Sequence, residues 1–501
     1  MLFPAHSRFN VQSASDWTAK ADLYRKFNRT VLVVPSLFSP TIPVLIGGGS
    51  GHERRQQGPP YLREAERDPC GRRLPIRPQL LTTEGVHWHR HRKVSALSFS
   101  EKNTAQVWEM TMKLVAEWQD KLDKEQGKDG TTVVDNSEDL WAVLTLLVTG
   151  RAGFGIGFAW PWTSSPKRAD EAPSFYQASK IGLRDWRPMS ILPRLVFKLP
   201  SAKLQRVQHG YDLFGDELKR MVQERVEEVK KGVNRDGLLT ALVKANLKEE
   251  RKDKLTHKEL RTSLPDAYIF LIAGHETTAN PLSTIFLLLA LYTSHQDALH
   301  GEALSVFGSR PILELRYSET YDALPITLAT VQEGLRLAGP APAVIKQAAL
   351  ETWLPARTVP KEGEKSEETT VFVPAGSLIR ENASGVHYIG EAWPDPYDFN
   401  PKRLLEKDWN RDSFNPFSSG MRGCIGRPFA MAELVAVVSA MLLKYRIEMP
   451  ENRKAGWLLR EGETERERRE RIMNPAWALT LGPQGIDLAF VPRIKKKDGR
   501  A

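Results

Sequence analysis

The segment Phe417-Ser-Ser-Gly420-Met-Arg422-Gly-Cys424-Ile-Gly426 wraps a cysteine in glycines and sets an arginine two residues before it. Glycines at 420, 423 and 426 let backbone N–H groups approach a sulfur and a flat macrocycle closely. An apolar helix is expected from Arg427-Pro428-Phe429 onward, which puts Cys424 at a helix N-terminus. The helix dipole, with Arg422 and Arg427 nearby, favours S⁻ over SH and predicts a lowered thiol pKa. Thiolate is the form an iron ligand must take, so the pattern F-x-x-G-x-R-x-C-x-G points to a haem iron held through Cys424. A buried structural cysteine is the bland alternative, but it needs no arginine at that spacing.

Other constellations could serve the same cofactor. An apolar stretch from Pro265 to Tyr292, too long for a strand, carries Ala273-Gly274-His275-Glu276-Thr277-Thr278. Ala273 and Thr277 share a helix face, and Gly274 leaves room for dioxygen beside the backbone. A hydroxyl with a carboxylate behind it can relay protons from water. A zinc-protease reading of His275-Glu276 fails, because the histidine it needs at 279 is Ala279. Glu333-Gly-Leu-Arg336 sets opposite charges on one helical face, a pattern that alone marks a solvated surface. Trp88-His-Arg-His-Arg92 puts an indole N–H and a guanidinium on one face, which suits the two propionates of a haem edge. His87 and His91 also share a face, but no carboxylate or cysteine close in sequence completes a tetrahedral metal site.

These segments, in this order, resemble the cytochrome P450 family. Stretches such as His91-Arg-Lys-Val and Phe99-Ser-Glu-Lys are similar to its fungal microsomal branch, and the likeness runs from residue 80 to about 492. The resemblance implies a mainly α fold with minor β-sheets in one domain. Haem b would lie between the long central helix and the Cys424 loop with the helix after it. Cys424 would ligate the iron, and Phe417, Gly420, Gly426, Ala273 and Gly274 would line the cofactor. Trp88, Arg92, Lys346 and Arg422 would hold the propionates, and Glu276 and Thr277 would form the catalytic acid and alcohol pair. Glu333 and Arg336, joined by Arg403 from Phe399-Asn-Pro401-Lys-Arg403, would form a buried structural cluster that braces the haem loop. Two departures stand in Gly339-Pro340-Ala-Pro342-Ala-Val-Ile-Lys346. Lys346 replaces the family's usual arginine and offers a point charge without a fork, and Gly339 stands where proline is common.

The implied activity is insertion of one oxygen atom into a lipophilic substrate. Electrons would come from an NADPH-cytochrome reductase, with cytochrome b5 as a second candidate donor. A peroxide-driven peroxygenase or an isomerase on the same fold, and an inactive chain with a defective start, are the alternatives. The family also implies a monomer on the cytosolic face of the endoplasmic reticulum membrane.

The elements that must position these residues are mostly helical. Leu204, Val207, Tyr211, Phe214, Leu218 and Met221 recur at steps of three and four, as a long amphipathic helix requires. Ala476–Leu481 and Ile486–Val491 flank Gly-Pro-Gln-Gly and read as a hairpin. The Arg/Glu run from Arg460 to Arg471 reads as a solvated loop or helix face, and the basic tail 493–501 as frayed. The chain has 501 residues, 41% hydrophobic and 26% charged, which gives ample length for a large core. Residues from Trp88 to Cys424 must reach one cofactor, so 81–492 is expected to be a single monooxygenase domain.

Cys70 and Cys424 are the only cysteines, which suits a reducing compartment. The net charge of +10 is scattered and not set in a stripe with aromatics, so nucleic-acid binding is not implied. A basic surface suits an acidic electron donor and an anionic membrane face. No nucleotide-phosphate loop is present. Gly47–Gly51 lacks the following Lys-Ser/Thr, and Gly153–Gly157 has the wrong glycine spacing. Pro35, Pro40 and Pro43 break the apolar run 30–49, so it cannot be a spanning helix. Residues 1–80 are expected to be atypical and incomplete or irregular, with 47–80 replacing part of the region that caps a substrate pocket.

Overall fold

The computed structural model describes residues 31–33, 43–46, 62–63, 79–163, 201–233, 235–253, 260–358, 367–450, 457–473, 476–477 and 480–493. Residues 47–78, apart from Leu62–Arg63, and the tail 494–501 lie outside them. The sequence expectations for those stretches find no structural counterpart here.

Helices dominate the described chain: α1 Gly85–Ala96, α2 Glu101–Lys124, α3 Ser137–Val148, α4 Ala202–Lys230, α5 Leu238–Asp253, α6 Leu260–Leu291, α7 Gln296–Phe307, α8 Pro325–Leu337, α9 Arg427–Lys444 and α10 Glu465–Met473. The amphipathic spacing in α4 buries Val207, Phe214 and Leu218, as its periodicity requires. Ser100 caps α2 by accepting the Asn103 N–H. Helix α6 crosses the centre of the molecule. Its apolar residues on most sides, from Ala267 to Ile272 and again from Leu282 to Ala290, are buried, as expected of a helix covered all round.

An aromatic seam holds α2, α3 and α6 together. Trp141 stands edge-on to Trp118 at 5.0 Å and 4.4 Å from Phe286, while Trp118 meets Phe490 at 5.4 Å. Each such pair adds about 0.5–1.5 kcal/mol beyond its area. Helix α9 is buried continuously from Met431 to Leu442 and packs against α2, α6, α7 and α8.

The sheets are small. Strands β1 Val31–Val33, β2 Pro43–Ile46, β3 Leu62–Arg63, β5 Ala343–Ala348 and β8 Leu378–Asn382 form one sheet in the order β1-β2-β8-β5-β3. Strands β6 Thr352–Arg357 and β7 Glu368–Val373 form a hairpin. β4 Thr132–Val134, β12 Leu488–Pro492 and β9 Tyr445–Glu448 form a third sheet.

The C-terminal hairpin is not the one expected. β10 Ala476–Trp477 turns back on β11 Leu481–Gly482, whereas β12 pairs with β4 and β9. Leu488 and Phe490 are buried, and the sheet with β4 and β9 provides that burial. The Arg460–Arg471 run is also not wholly solvated. Arg468 and Arg469 are buried in α10, where Arg468 Nε donates to the Trp457 carbonyl at 2.9 Å and Arg469 donates to the Tyr397 carbonyl.

Candidate active site

Cys424 precedes α9 by a short turn. Its own N–H donates to the Phe417 carbonyl at 2.8 Å, and Gly423 N–H donates to the Gly420 carbonyl at 3.0 Å. The reversal needs Gly420 at φ +74°, a conformation that glycine adopts without strain. At Gly423 a side chain would press on the Gly420 carbonyl 3.1 Å away. Cys424 is exposed and helps to line a cavity of about 390 Å³ with Arg92, Phe414, Phe417, Gly420, Gly423 and Arg427.

The sequence argument for a lowered thiol pKa is corrected by the structure. Burial pushes the Cys424 thiol up. The N–H groups of Gly426 and Arg427 and the charges of Arg92 and Arg427 oppose that rise without reversing it. The dipole and arginine effects are present, and desolvation outweighs them. A metal that binds there must displace the proton.

Helix α1 brings two predicted residues, Trp88 and Arg92, to this loop. Arg92 Nη1 donates to the Gly423 carbonyl at 3.0 Å. Trp88 is buried, and the Arg422 guanidinium lies over its ring at 4.3 Å. Arg422 Nη2 also donates to the Thr83 carbonyl and pairs with Glu84, both at 2.9 Å. Burial lowers the Arg92 pKa, and the like charge of Arg422 adds to that effect. His91 faces the other way, with Nδ1 2.7 Å from Asp266 Oδ2 on α6, and Asp266 Oδ1 accepts the Leu80 N–H. Sequence gave no sign of this buried pair, whose members stand 175 residues apart.

The turn Ala273–Thr277 is half-buried, although α6 is fully buried on both sides of it. Phe99 ties this level of α6 to the cysteine loop. Its ring meets Phe270 at 5.3 Å and Phe429 at 4.8 Å, and Gly426 lies against it. Three hydroxyls donate to carbonyls of this turn, which stays helical throughout. Thr277 donates to the Ala273 carbonyl at 2.6 Å, Thr278 to Gly274 at 3.0 Å, and Thr145 of α3 to His275 at 2.9 Å. Pro281 has no N–H to close on the Thr277 carbonyl. Where a side chain on Gly274 would project stands Thr149, 3.2 Å away, so this glycine permits close packing against the π-helical turn Thr149–Phe154. Glu276 Oε1 accepts the Thr480 N–H at 2.9 Å and the Thr480 hydroxyl at 3.2 Å. Lys346 Nζ pairs with Glu381 at 2.8 Å across β5 and β8.

The charged cluster is fully formed away from the cavity. Arg336 grips Glu333 with two bonds of 2.8 Å, and both side chains are wholly buried. Arg403 Nε lies 3.3 Å from Glu333. Arg336 also donates to the carbonyls of His387, Pro396 and Asp398, and Arg403 to those of Asn400, Pro394 and Asp395. His387 Nε2 accepts the Asn415 N–H at 2.9 Å, which carries the contact to the loop that holds Cys424.

A compact thiol loop at a cavity, a basic and indole-bearing helix beside it, and a half-buried turn on a long central helix suit an α-helical protein that binds a cofactor. Comparison with known proteins identifies the family. Residues 71–458 match the sequence model of the cytochrome P450 family. Cytochrome P450 monooxygenase 124 of Postia placenta is 33% identical over 415 residues, covering 83% of this chain and 76% of the relative. Cytochrome P450 monooxygenase AOL_s00215g278 of Arthrobotrys oligospora is 25% identical over 84% of this chain and 75% of its own. The crystal structure of a cytochrome P450, CYP102L1, superposes with a TM-score of 0.71 over 97% of this chain and 100% of the other, at 18% identity. The chain belongs to the cytochrome P450 family, and its mainly helical fold with small sheets is the family's.

The family implies a haem, and the residues fit one. The thiol opens on a cavity with two backbone N–H groups directed at its sulfur. A Cβ on Gly426 would stand 3.7 Å from the Phe99 ring and 3.9 Å from Sγ, so the glycine keeps the flank of the sulfur slim. Arg92 and Arg422 press on each other electrostatically, and a doubly anionic edge beside them would relieve that repulsion.

Proposed function

We propose that this enzyme is a haem-thiolate monooxygenase that inserts one oxygen atom of dioxygen into a lipophilic substrate, with electrons from an NADPH-dependent reductase. The observation that carries the reading is the Cys424 thiol, presented to a cavity by the Gly420–Gly426 loop and faced by two N–H groups. Haem b, bound through that sulfur, would supply the electron transfer and the activation of dioxygen.

The chain's own residues would do the rest. Trp88, Arg92 and Arg422 would neutralise and orient the propionates. Lys346 is engaged by Glu381, so its help there would come through that pair. Phe417, Gly420 and Gly426 would allow close approach on the thiolate side, and Ala273 on the other, whereas the side that Gly274 leaves bare is taken by Thr149. Thr277 donates to the Ala273 carbonyl; as a relay its hydroxyl would turn from that carbonyl, give up its own proton and take one in return. Glu276 would resupply that hydroxyl. Glu333, Arg336 and Arg403 brace the loop through His387 and Asn415.

The electron donor would approach the exposed Arg411, Met421 and Arg427, a surface suited to an acidic partner. The reductase, with cytochrome b5 as a second donor, fits that chemistry. Among the described residues no helix is long and apolar enough to cross a membrane. Association with the cytosolic face of the endoplasmic reticulum is part of the same reading, as is a monomer whose domain spans 81–492. The reduced, carbon-monoxide-bound spectrum tests the reading, because it reports the axial ligand directly. A thiolate-type band that Cys424→Ala abolishes is expected. A nitrogen-type band from well-folded protein refutes the assignment. Turnover with NADPH and reductase, and not with peroxide alone, distinguishes the monooxygenase from a peroxygenase.

A further inference from the structure

Glu276 and Thr277 are neighbours in sequence, yet the Glu276 carboxylate is bound to Thr480, the residue just before β11. Its Oε1 accepts both the N–H and the hydroxyl of Thr480, 204 residues further on. One helical turn beyond Glu276, Asn280 Nδ2 donates to the same Thr480 hydroxyl at 2.6 Å. The Thr480 oxygen is therefore an acceptor from Asn280 and a donor to Glu276, which fixes where its proton points. Thr480 is buried.

Two further contacts seat this strand end. Leu481 N–H donates to the Pro340 carbonyl at 3.0 Å. Gly482 lies so close to Asn280 that any side chain on it would collide with the amide. The end of the β10–β11 hairpin is thus wedged between α6 and the segment that follows α8.

We propose that Thr480 and Asn280 are positioning residues for Glu276. Together they hold its carboxylate in one orientation behind Thr277 and make its placement depend on the seating of the C-terminal hairpin. The proposal rests on the reading of Glu276 as the acid that serves Thr277. A ligand that shifts the hairpin would also shift the acid, so substrate occupancy and proton supply would be coupled through these bonds.

The test uses the haem-loaded protein with no organic substrate added. Thr480→Val keeps the N–H and removes the hydroxyl, Thr480→Ser restores the hydroxyl, and Glu276→Gln removes the acid. Two quantities are measured: hydrogen exchange of the amides at 480–482, and hydrogen peroxide released per NADPH oxidised with an NADPH–cytochrome P450 reductase. A hydrogen bond to a charged group sets the scale, so exchange is expected to quicken about tenfold in Thr480→Val. The peroxide share should rise in Thr480→Val, return to the parent value in Thr480→Ser, and rise in Glu276→Gln with no further rise on adding Thr480→Val. If Glu276→Gln alone changes the peroxide share and Thr480→Val does not, positioning is refuted while the acid role stands. If Glu276→Gln changes nothing, the acid role fails and the proposal with it. An added effect of Thr480→Val in the Glu276→Gln background also overturns it. Should Thr480→Val not retain haem, Asn280→Ala leaves the strand intact and provides the same comparison.

Discussion

Replacing Glu333 by glutamine removes one negative charge from a site that holds two guanidiniums. In the native protein Arg336 and Glu333 are wholly buried, and Arg403 nearly so. Breaking a buried ion pair by neutralising one partner costs about 3–5 kcal/mol. The lower end applies here, because six backbone carbonyls remain to solvate the two cations: those of His387, Pro396, Asp398, Asn400, Pro394 and Asp395. Glutamine's own carbonyl can also keep the bond from the Asn400 N–H, which Glu333 Oε1 now accepts at 3.0 Å. A loss of about 3 kcal/mol multiplies the unfolded fraction roughly a hundredfold. That is a large part of the 5–15 kcal/mol, roughly, that holds typical domains together. The loss should reach the cofactor, since Arg336 bonds His387 and His387 accepts from Asn415 just before the loop. Guanidinium chloride unfolding of Glu333→Gln, read in parallel with the carbon-monoxide spectrum, should show both a lower midpoint and a smaller thiolate-type band. Lys102→Ala serves as the control, since its pair with Asp236 is exposed and contributes little to stability. A Glu333→Gln protein as stable as the control, with full haem content, would refute the account of the cluster.

Asp266→Asn keeps the shape of the buried His91 contact and weakens its charge, so α1 should loosen from α6. A drop in stability of about 1–3 kcal/mol and a faster loss of haem to apomyoglobin are expected. Thr277→Ala should leave the thiolate-type band intact and divert reducing equivalents to peroxide; unchanged coupling removes the proton-relay role. His275 gives a pH signature, because burial pulls its imidazole down from 6.5 to about 4. The unfolded chain binds that proton below about 6.5 and the native one only near 4, so native stability falls across this window as pH drops. His275→Phe should flatten that part of the stability-versus-pH curve, and an unaltered slope counts against a buried neutral imidazole.

What the sequence revealed was local. The cysteine loop is ten contiguous residues, and Glu333 and Arg336 stand one helical turn apart, so spacing sufficed to mark them. Arg403 came from family likeness, since nothing in its own neighbourhood requires a buried partner. The pair His91–Asp266 and the cluster Glu276–Thr480–Asn280 join segments 175 and about 200 residues apart, and only folding places them together. Competition between effects was equally hidden. Helix dipole and arginines argue for an acidic Cys424 thiol, and burial reverses the sign. Arg468 and Arg469 look solvated in a run of charge until Trp457 and Tyr397 supply the carbonyls that let them enter the core.

The clasp between α1 and the cysteine loop dictates an order of assembly. Arg92 reaches the Gly423 carbonyl across 331 residues, and Arg422 reaches Thr83 across 339. Neither bond can form on the ribosome until most of the chain has been synthesised. The nascent protein must therefore carry its apolar central span through translation without the prosthetic group to cover it. Capture of the tetrapyrrole would then come late in synthesis, and its shortage should leave an aggregation-prone polypeptide.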